Sequence, residues 1–393
     1  MEIRTLASTS ADGRVLNQEV IMDFSGKMAG ICYTKESLDE IWREPREKVL
    51  KLAKNSLESN NHDVFGHENI TLFIGRAPRI LAMVLNNEGY FNASEKSGRQ
   101  TAIELFGLEK VFFEKWKDRL SVLIAKKYPD MDKKMIEKCA SQNASYLISI
   151  FTPSVDMIYS TSIQQINYIV GWMREFVART DFQTEFEEKL ALVYSEFIRK
   201  LDPNLIIPGL IDPDSSGFSL FGKRERADEW GENYSFSYYG SFAELAEVQL
   251  LPSQIFKKIH YEFSFFDSKH ALPGYFPFYV PIIIEDSEYE REWLADAEIL
   301  MDFYPQGMMV RINERGTCED FVLKCSKMLC GQVQLEACTR TASTLSHYFW
   351  GTKDKEVRKY LRPYVNLPRC NSFCNSCDHP CFWGPDRVFS RLV

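Results

Sequence analysis

Two clusters in this sequence carry residue types that can do chemistry. The first is Glu95-Lys96-Ser97-Gly98-Arg99, in which a carboxylate, a hydroxyl and a guanidinium alternate. In an extended segment that spacing turns all three toward one face. Arg grips a phosphate through paired hydrogen bonds, the Ser hydroxyl adds a short one, and Gly98 lets the backbone come close. With a carboxylate beside them to read a base edge, the trio suits a small phosphorylated ligand. The second cluster is Cys370-x3-Cys374-x2-Cys377-x3-Cys381, four thiols within twelve residues, with His379 among them. Four soft ligands so close suit a structural zinc or an iron–sulfur cluster, with reduced thiols as the plain alternative. Cys318, Cys325, Cys330 and Cys338 stand in the preceding segment as further partners.

The elements that must position these groups follow from periodicity. Lys35–Asn60 has a helical apolar face built on Leu38, Ile41, Trp42, Val49, Leu50 and Ala53, with Pro45 kinking or restarting it. Ile70–Ile74 is a short β-rich run, and Ala77–Asn86 a helix with Pro78 in its first turn. Helices are expected at Leu108–Lys127, Lys133–Ile150, Ser162–Arg179 and Gln183–Leu201. A stretch rich in Pro, Gly, Ser and Asp at Asp202–Glu232 reads as a boundary. Beyond it, Ser241–Leu251 reads as a helix, and Ile259–Phe265 and Tyr275–Ile284 as strands. Helices return at Asp286–Asp302, Cys318–Leu329, Val333–Phe349 and Lys355–Leu361. The halves echo one another: Gln183-Thr184-Glu185 matches Gln334-Leu335-Glu336, and Phe151-Thr152-Pro153 matches Phe303-Tyr304-Pro305.

The order from Asn61 to Gln100 is His62, an apolar run, Arg76-Ala77-Pro78 opening a helix, and then Glu95-x-Ser97-x-Arg99. It resembles the signature of the flavin-dependent thymidylate synthases (thymidylate synthase complementing proteins). The resemblance implies an α+β fold: two tandem copies, each a small antiparallel sheet packed with several long helices. The expected divisions are 1–201 for the first copy, 202–235 for a linker, 236–366 for a second, degenerate copy, and 367–393 for a Cys-rich tail. In that family the Glu-x-Ser-x-Arg segment binds dUMP, which implies substrate roles for Glu95, Ser97, Gly98 and Arg99. His62 stands at the family's His near the flavin, while His67-Glu68 reverses the order of its Glu-His pair. Val333-Gln334-Leu335-Glu336 is similar to the family's late Ala-Gln-x-Glu, and Asn313-Glu314-Arg315 to its Asn-Ala-Arg. Asn313, Arg315, Gln334 and His62 are the implied FAD contacts.

The departures are as definite as the matches. Where the family carries Arg-His-Arg, seven residues before its Ser, this chain has Asn87-Glu88-Gly89, and the equivalent position in the second half holds Leu250-Leu251-Pro252. Charge-assisted hydrogen bonds contribute about 1.5–3 kcal/mol each. Two Arg and one His contact together are then worth ~4–8 kcal/mol, a thousandfold or more in affinity. The family chemistry would methylate dUMP to dTMP with methylenetetrahydrofolate and a flavin reduced by NADPH, without a protein nucleophile. Two other readings stay open: a nucleotide-binding or regulatory paralogue that has lost the flavin, and an interaction module whose functional part is the tail.

Composition bounds these readings. At 393 residues the chain exceeds a typical single domain, and 45% apolar with 13% aromatic residues is ample for a core. No apolar run is long enough to span a membrane, and Met1-Glu2-Ile3-Arg4 lacks a signal-peptide layout, so a cytoplasmic protein without membrane contact is expected. The acidic excess, 55 against 47, argues against nucleic-acid binding. Ten cysteines in such a chain are expected as thiols or metal ligands. Tandem copies imply a homodimer imitating the four-subunit assembly of the family.

Overall fold

The computed structural model describes residues 1–9, 15–89, 91–96, 104–214, 217–222, 227–250, 259–265, 277–372, 377 and 381–393. In chain order, β1 (Glu2–Ser8) precedes three helices, α1 (Gln18–Tyr33), α2 (Leu38–Arg43) and α3 (Arg46–Glu58). Then come β2 (Asn69–Pro78), α4 (Arg79–Leu85), β3 (Phe91–Glu95), α5 (Gly107–Lys127) and α6 (Lys133–Ala144). β4 (Pro153–Ser162) leads to α7 (Ile163–Val177) and α8 (Glu185–Lys200). The later part holds β5 (Glu229–Trp230), β6 (Asn233–Ser241), α9 (Phe242–Gln249), β7 (His260–Phe265) and α10 (Glu288–Ile299). It ends in β8 (Met309–Thr317), α11 (Cys318–Met328), α12 (Leu335–Gly351) and α13 (Lys355–Leu361).

The protein is a mixed α and β chain with two four-stranded antiparallel sheets. Their strand orders are β1-β2-β4-β3 and β5-β6-β8-β7, the same permutation used twice. At three places a strand passes directly into a helix through a hydroxyl cap. Ser162 caps α7 by accepting from Gln165 N, Ser241 caps α9 by accepting from Glu244 N, and Thr317 forms a capping box with Asp320 at α11. At β2 the passage uses Pro78, whose fixed φ of -60° suits a helix start.

The chain divides into two compact units. One contains 1–77, 88–95 and 155–218; the other contains 78–87, 96–154 and 219–393. The first holds the first sheet with α1–α3, α7 and α8. The helix expected over Lys35–Asn60 is there two helices, α2 and α3, broken at Glu44-Pro45 where a proline nitrogen cannot donate. The second unit holds α4–α6, the second sheet, α9–α13 and the tail. Its core joins Trp116, Leu120 and Ile124 of α5 to Trp293 of α10 and Trp383 of the tail.

Two expectations need correction. Tyr275–Ile284 is not a strand over its described part: Phe278 makes a single bridge to Met308, and Ile282–Ile284 is a 3-10 turn. Pro277 and Pro281 remove the donors a ladder needs. The helix expected over Lys133–Ile150 stops at Ala144. Ile148–Ile150 instead lies against Tyr304–Gln306, with a bridge from Ser149 to Pro305 and hydrogen bonds from Ile150 N to Tyr304 O and from Gln306 N to Ile148 O. The two echoed segments thus meet.

Candidate functional site

The geometry at the position of the missing basic triplet is decisive for what it can bind. Asn87 lies just past α4, of which Ile80–Leu85 are buried, and is itself 1% exposed. Its Nδ2 donates to Ser219 Oγ and to the Tyr261 carbonyl, both at 2.8 Å. Its Oδ1 accepts from Gln249 Nε2 at 3.0 Å, and Gln249 also donates to the Met83 carbonyl at 3.1 Å. Gln249 is the last residue of α9, just before the Leu250-Leu251-Pro252 that replaces the second triplet. Asn87, in the first triplet position, and Gln249, beside the second, are therefore buried amides bound to each other and to backbone. Glu88, in the first unit, is 6% exposed, and its charge helps to raise the Tyr159 and Tyr194 phenols, after burial itself. A buried carboxylate beside an amide already bound within the protein does not fit a flavin phosphate.

The expected nucleotide segment is described only at its start. Glu95 ends β3, opposite Met157 of β4, so the extended geometry required for alternation is present up to that residue. Ser97, Gly98 and Arg99 lie outside the described residues.

The expected flavin contacts are distributed over the two units. His62, in the first, is 2% exposed, with Nδ1 2.8 Å from Tyr168 Oη and Nε2 3.3 Å from the Leu57 carbonyl. Both ring nitrogens thus have protein partners. In the second unit Asn313 accepts from Ser237 Oγ at 2.6 Å, while Arg315 on the same strand is exposed. Between them Glu314 forms a fully buried ion pair with Lys324 at 2.7 Å and accepts from Tyr234 Oη at 2.9 Å.

Gln334 opens α12 and belongs to a buried polar network. Its Nε2 donates to Tyr146 Oη at 2.6 Å, and Tyr146 donates to Glu336 Oε2 at 3.0 Å. Glu336 also accepts from Ser241 N at 2.9 Å and from Ser241 Oγ at 2.6 Å. Glu244, one turn into α9, is 0% exposed, and burial followed by the nearby Glu336 pushes its carboxyl well above the usual range. Arg340 Nε stands 3.5 Å from it. A Cβ on Gly240 would meet Glu244 Oε2 at 2.3 Å, so the glycine gives this carboxyl its present place against the strand. Tyr146 and Arg340 carry no motif, while Ser241 and Glu244 lie in a stretch that resembles the family's helix leading into its basic triplet. The Gly240-Ser241 junction, a strand end followed by a helix cap, also marks the place in sequence.

Of the cysteine run, Cys370, Cys377 and Cys381 are described and Cys374 is not. Among the described residues no group of three or more His, Cys, Asp or Glu stands close enough to hold a metal. Burial pushes the Cys370 thiol up, and Cys377, Cys381 and Cys330 add to the effect, so these four share one neighbourhood. The segment is firmly seated: Arg369 N donates to the Leu329 carbonyl at 2.7 Å, and Arg391 donates to the carbonyls of Gly331 and Val333 at 2.7 Å each.

The fold so defined is an α+β chain with two antiparallel sheets of one strand order. Among solved structures it is similar to the flavin dependent thymidylate synthase ThyX from Helicobacter pylori complexed with FAD and dUMP, with a TM-score of 0.33 and 11% identity. That similarity covers 54% of this chain and 100% of the other. No family model and no curated protein matches. Neither family membership nor activity follows from a likeness of this size. Among the described residues no helix is long and apolar enough to cross a membrane.

Proposed function

We propose that this chain is a diverged, tandem-duplicated relative of the flavin-dependent thymidylate synthases that keeps a pyrimidine-nucleotide site at Glu95–Arg99 and has given up flavin binding. The observation that carries the reading is the Asn87–Gln249 pair. Where the first basic triplet would grip a flavin phosphate, Asn87 is buried with its side-chain amide bound internally to Ser219, to the Tyr261 carbonyl and to Gln249, the residue just before the second triplet position. The repeated strand order supports the duplication, as do the helices placed after the second and last strand of each sheet.

The competing reading is the active enzyme, which methylates dUMP with methylenetetrahydrofolate, NADPH and FAD. Purified protein decides between them. A colourless preparation that ignores added FAD but gains several degrees in melting temperature with dUMP supports the diverged form. A yellow protein whose absorbance bleaches on reduction overturns it in favour of the enzyme. If dUMP produces no shift either, the nucleotide site at Glu95–Arg99 is refuted as well.

For the tail, the reading is a structural zinc held by Cys370, Cys374, Cys377 and Cys381, with Cys330 in the same neighbourhood. Metal analysis of protein purified without chelator is expected to give one equivalent per chain. A protein free of zinc and iron leaves reduced thiols.

A further inference from the structure

The second unit carries a cavity of about 1160 Å³ that none of the residues expected from the sequence accounts for. It wraps one edge of β6. β5 pairs with β6 only at Glu229↔Ser235 and Trp230↔Tyr234, so beyond that point this edge has no strand neighbour among the described residues. α12 runs alongside instead, and Arg340 Nη2 donates to the Tyr239 carbonyl at 2.7 Å.

Its lining has three chemistries. The first is aromatic. Trp230 stacks on Phe236 at 5.3 Å and Phe236 on Tyr238 at 5.2 Å, while Trp350 of α12 is 70% exposed at the cavity. The second is cationic. Arg340 lies with its guanidinium 4.8 Å above the Tyr238 ring, and Arg311 of β8 sits in register between Tyr239 and Ser264. The third is hydroxylic, from Ser237, Ser264, Ser343, Thr344 and Ser346. Among the described lining residues Asp228 is the single carboxylate beside the guanidinium groups of Arg311 and Arg340, and Arg340 also lies 3.5 Å from the buried Glu244 behind the lining.

We propose that this cavity binds a nucleotide, with its base against the tryptophans and its phosphate toward Arg311 and Arg340. Exposed indole faces are stacking platforms for any base. Guanidinium forks match phosphate oxygens in pairs, and hydroxyls suit the remaining phosphate and sugar oxygens. Arg340 is already held by the Tyr239 carbonyl and the Tyr238 ring, so binding there immobilises little that is free. The volume is somewhat above the ~300–1,000 Å³ of ordinary small-ligand pockets. It admits a free mononucleotide or the end of a single strand, two sources of one chemistry. All of the lining belongs to the second unit, whereas Glu95 belongs to the first, so this proposal and the dUMP site at Glu95–Arg99 fail separately.

The test uses the full chain, with calorimetry and tryptophan fluorescence as readouts. The ligands are AMP, UMP, adenosine, inorganic phosphate and a short deoxyuridine oligonucleotide. AMP is expected to bind and quench fluorescence, with adenosine at least roughly tenfold weaker. Arg311→Gln should weaken AMP roughly ten- to hundredfold, the range of one charge-assisted contact. Trp350→Ala, which alters an exposed side chain, should weaken it several-fold and remove part of the quenching. Tighter binding of the oligonucleotide with the same loss in both variants identifies single strands as the source. The proposal is overturned if AMP does not bind or if adenosine binds as well as AMP. It is equally overturned if inorganic phosphate competes as strongly as AMP, or if Glu95→Gln abolishes binding that Arg311→Gln leaves intact.

Discussion

Glu68 shows most clearly how a single residue sets a solution property. It precedes β2, is 1% exposed, and neither carboxylate oxygen has a hydrogen-bond partner among the described residues. Burial, aided by the charge of Asp23, pushes its pKa from 4.5 up to about 8. The folded protein therefore holds a proton that the unfolded chain releases once pH exceeds the lower value. Stability from this group is intact below pH 4.5 and falls as pH rises toward about 8. At about 1.4 kcal/mol per pH unit the ceiling is ~5 kcal/mol. Glu68→Gln keeps the volume and removes the titration. The variant should match the parent near pH 4.5 and exceed it by about 2–4 kcal/mol near pH 9 in denaturant unfolding. Parallel pH profiles would refute this account.

Among the elements, the tail is the piece whose attachment can be measured directly. Trp383 is 1% exposed, meets the Tyr128 ring edge-on at 5.3 Å, and has Arg391 5.8 Å above it. A Cβ on Gly331 would stand 2.6 Å from the Trp383 Cβ, so the turn after α11 accepts the indole only as glycine. Trp383→Ala should cost about 3–5 kcal/mol in equilibrium unfolding; a loss under ~1 kcal/mol would mean the tail is not integral to the second unit. The sequence made the helices α5, α7, α8 and α12 legible because they are long, and at α7 and α8 the caps Ser162 and Thr184 are explicit. It did not disclose β1, β4, β6 or β8. In β4 the buried Val155, Met157 and Tyr159 alternate with Asp156, Ile158 and Ser160, and one apolar residue on the outer face blurs the two-residue period. At the site, the motif positions were legible while their use was not. Gln334 stands at the start of an expected helix and Asn313 in a strand that was not expected, and their partners, Tyr146 and Ser237, lie 188 and 76 residues away in sequence. Only folding brings such pairs together.

For the whole molecule, the proposed duplication gives the chain two sheets of one design, and a second chain would complete an arrangement of four. Sedimentation equilibrium should therefore return twice the 45.7 kDa of one chain. A monomer at micromolar concentration would remove the analogy with a four-subunit assembly. The repeated order also has a consequence during synthesis. In each sheet the strand made last, β4 or β8, is inserted between two that were made earlier. Until it leaves the ribosome, β2 and β3, or β6 and β7, have no strand to join them, and their inner edges are open to other chains. Each sheet thus passes through a vulnerable interval whose length is the time taken to translate the helices lying between, and a slowed ribosome there would lengthen the exposure.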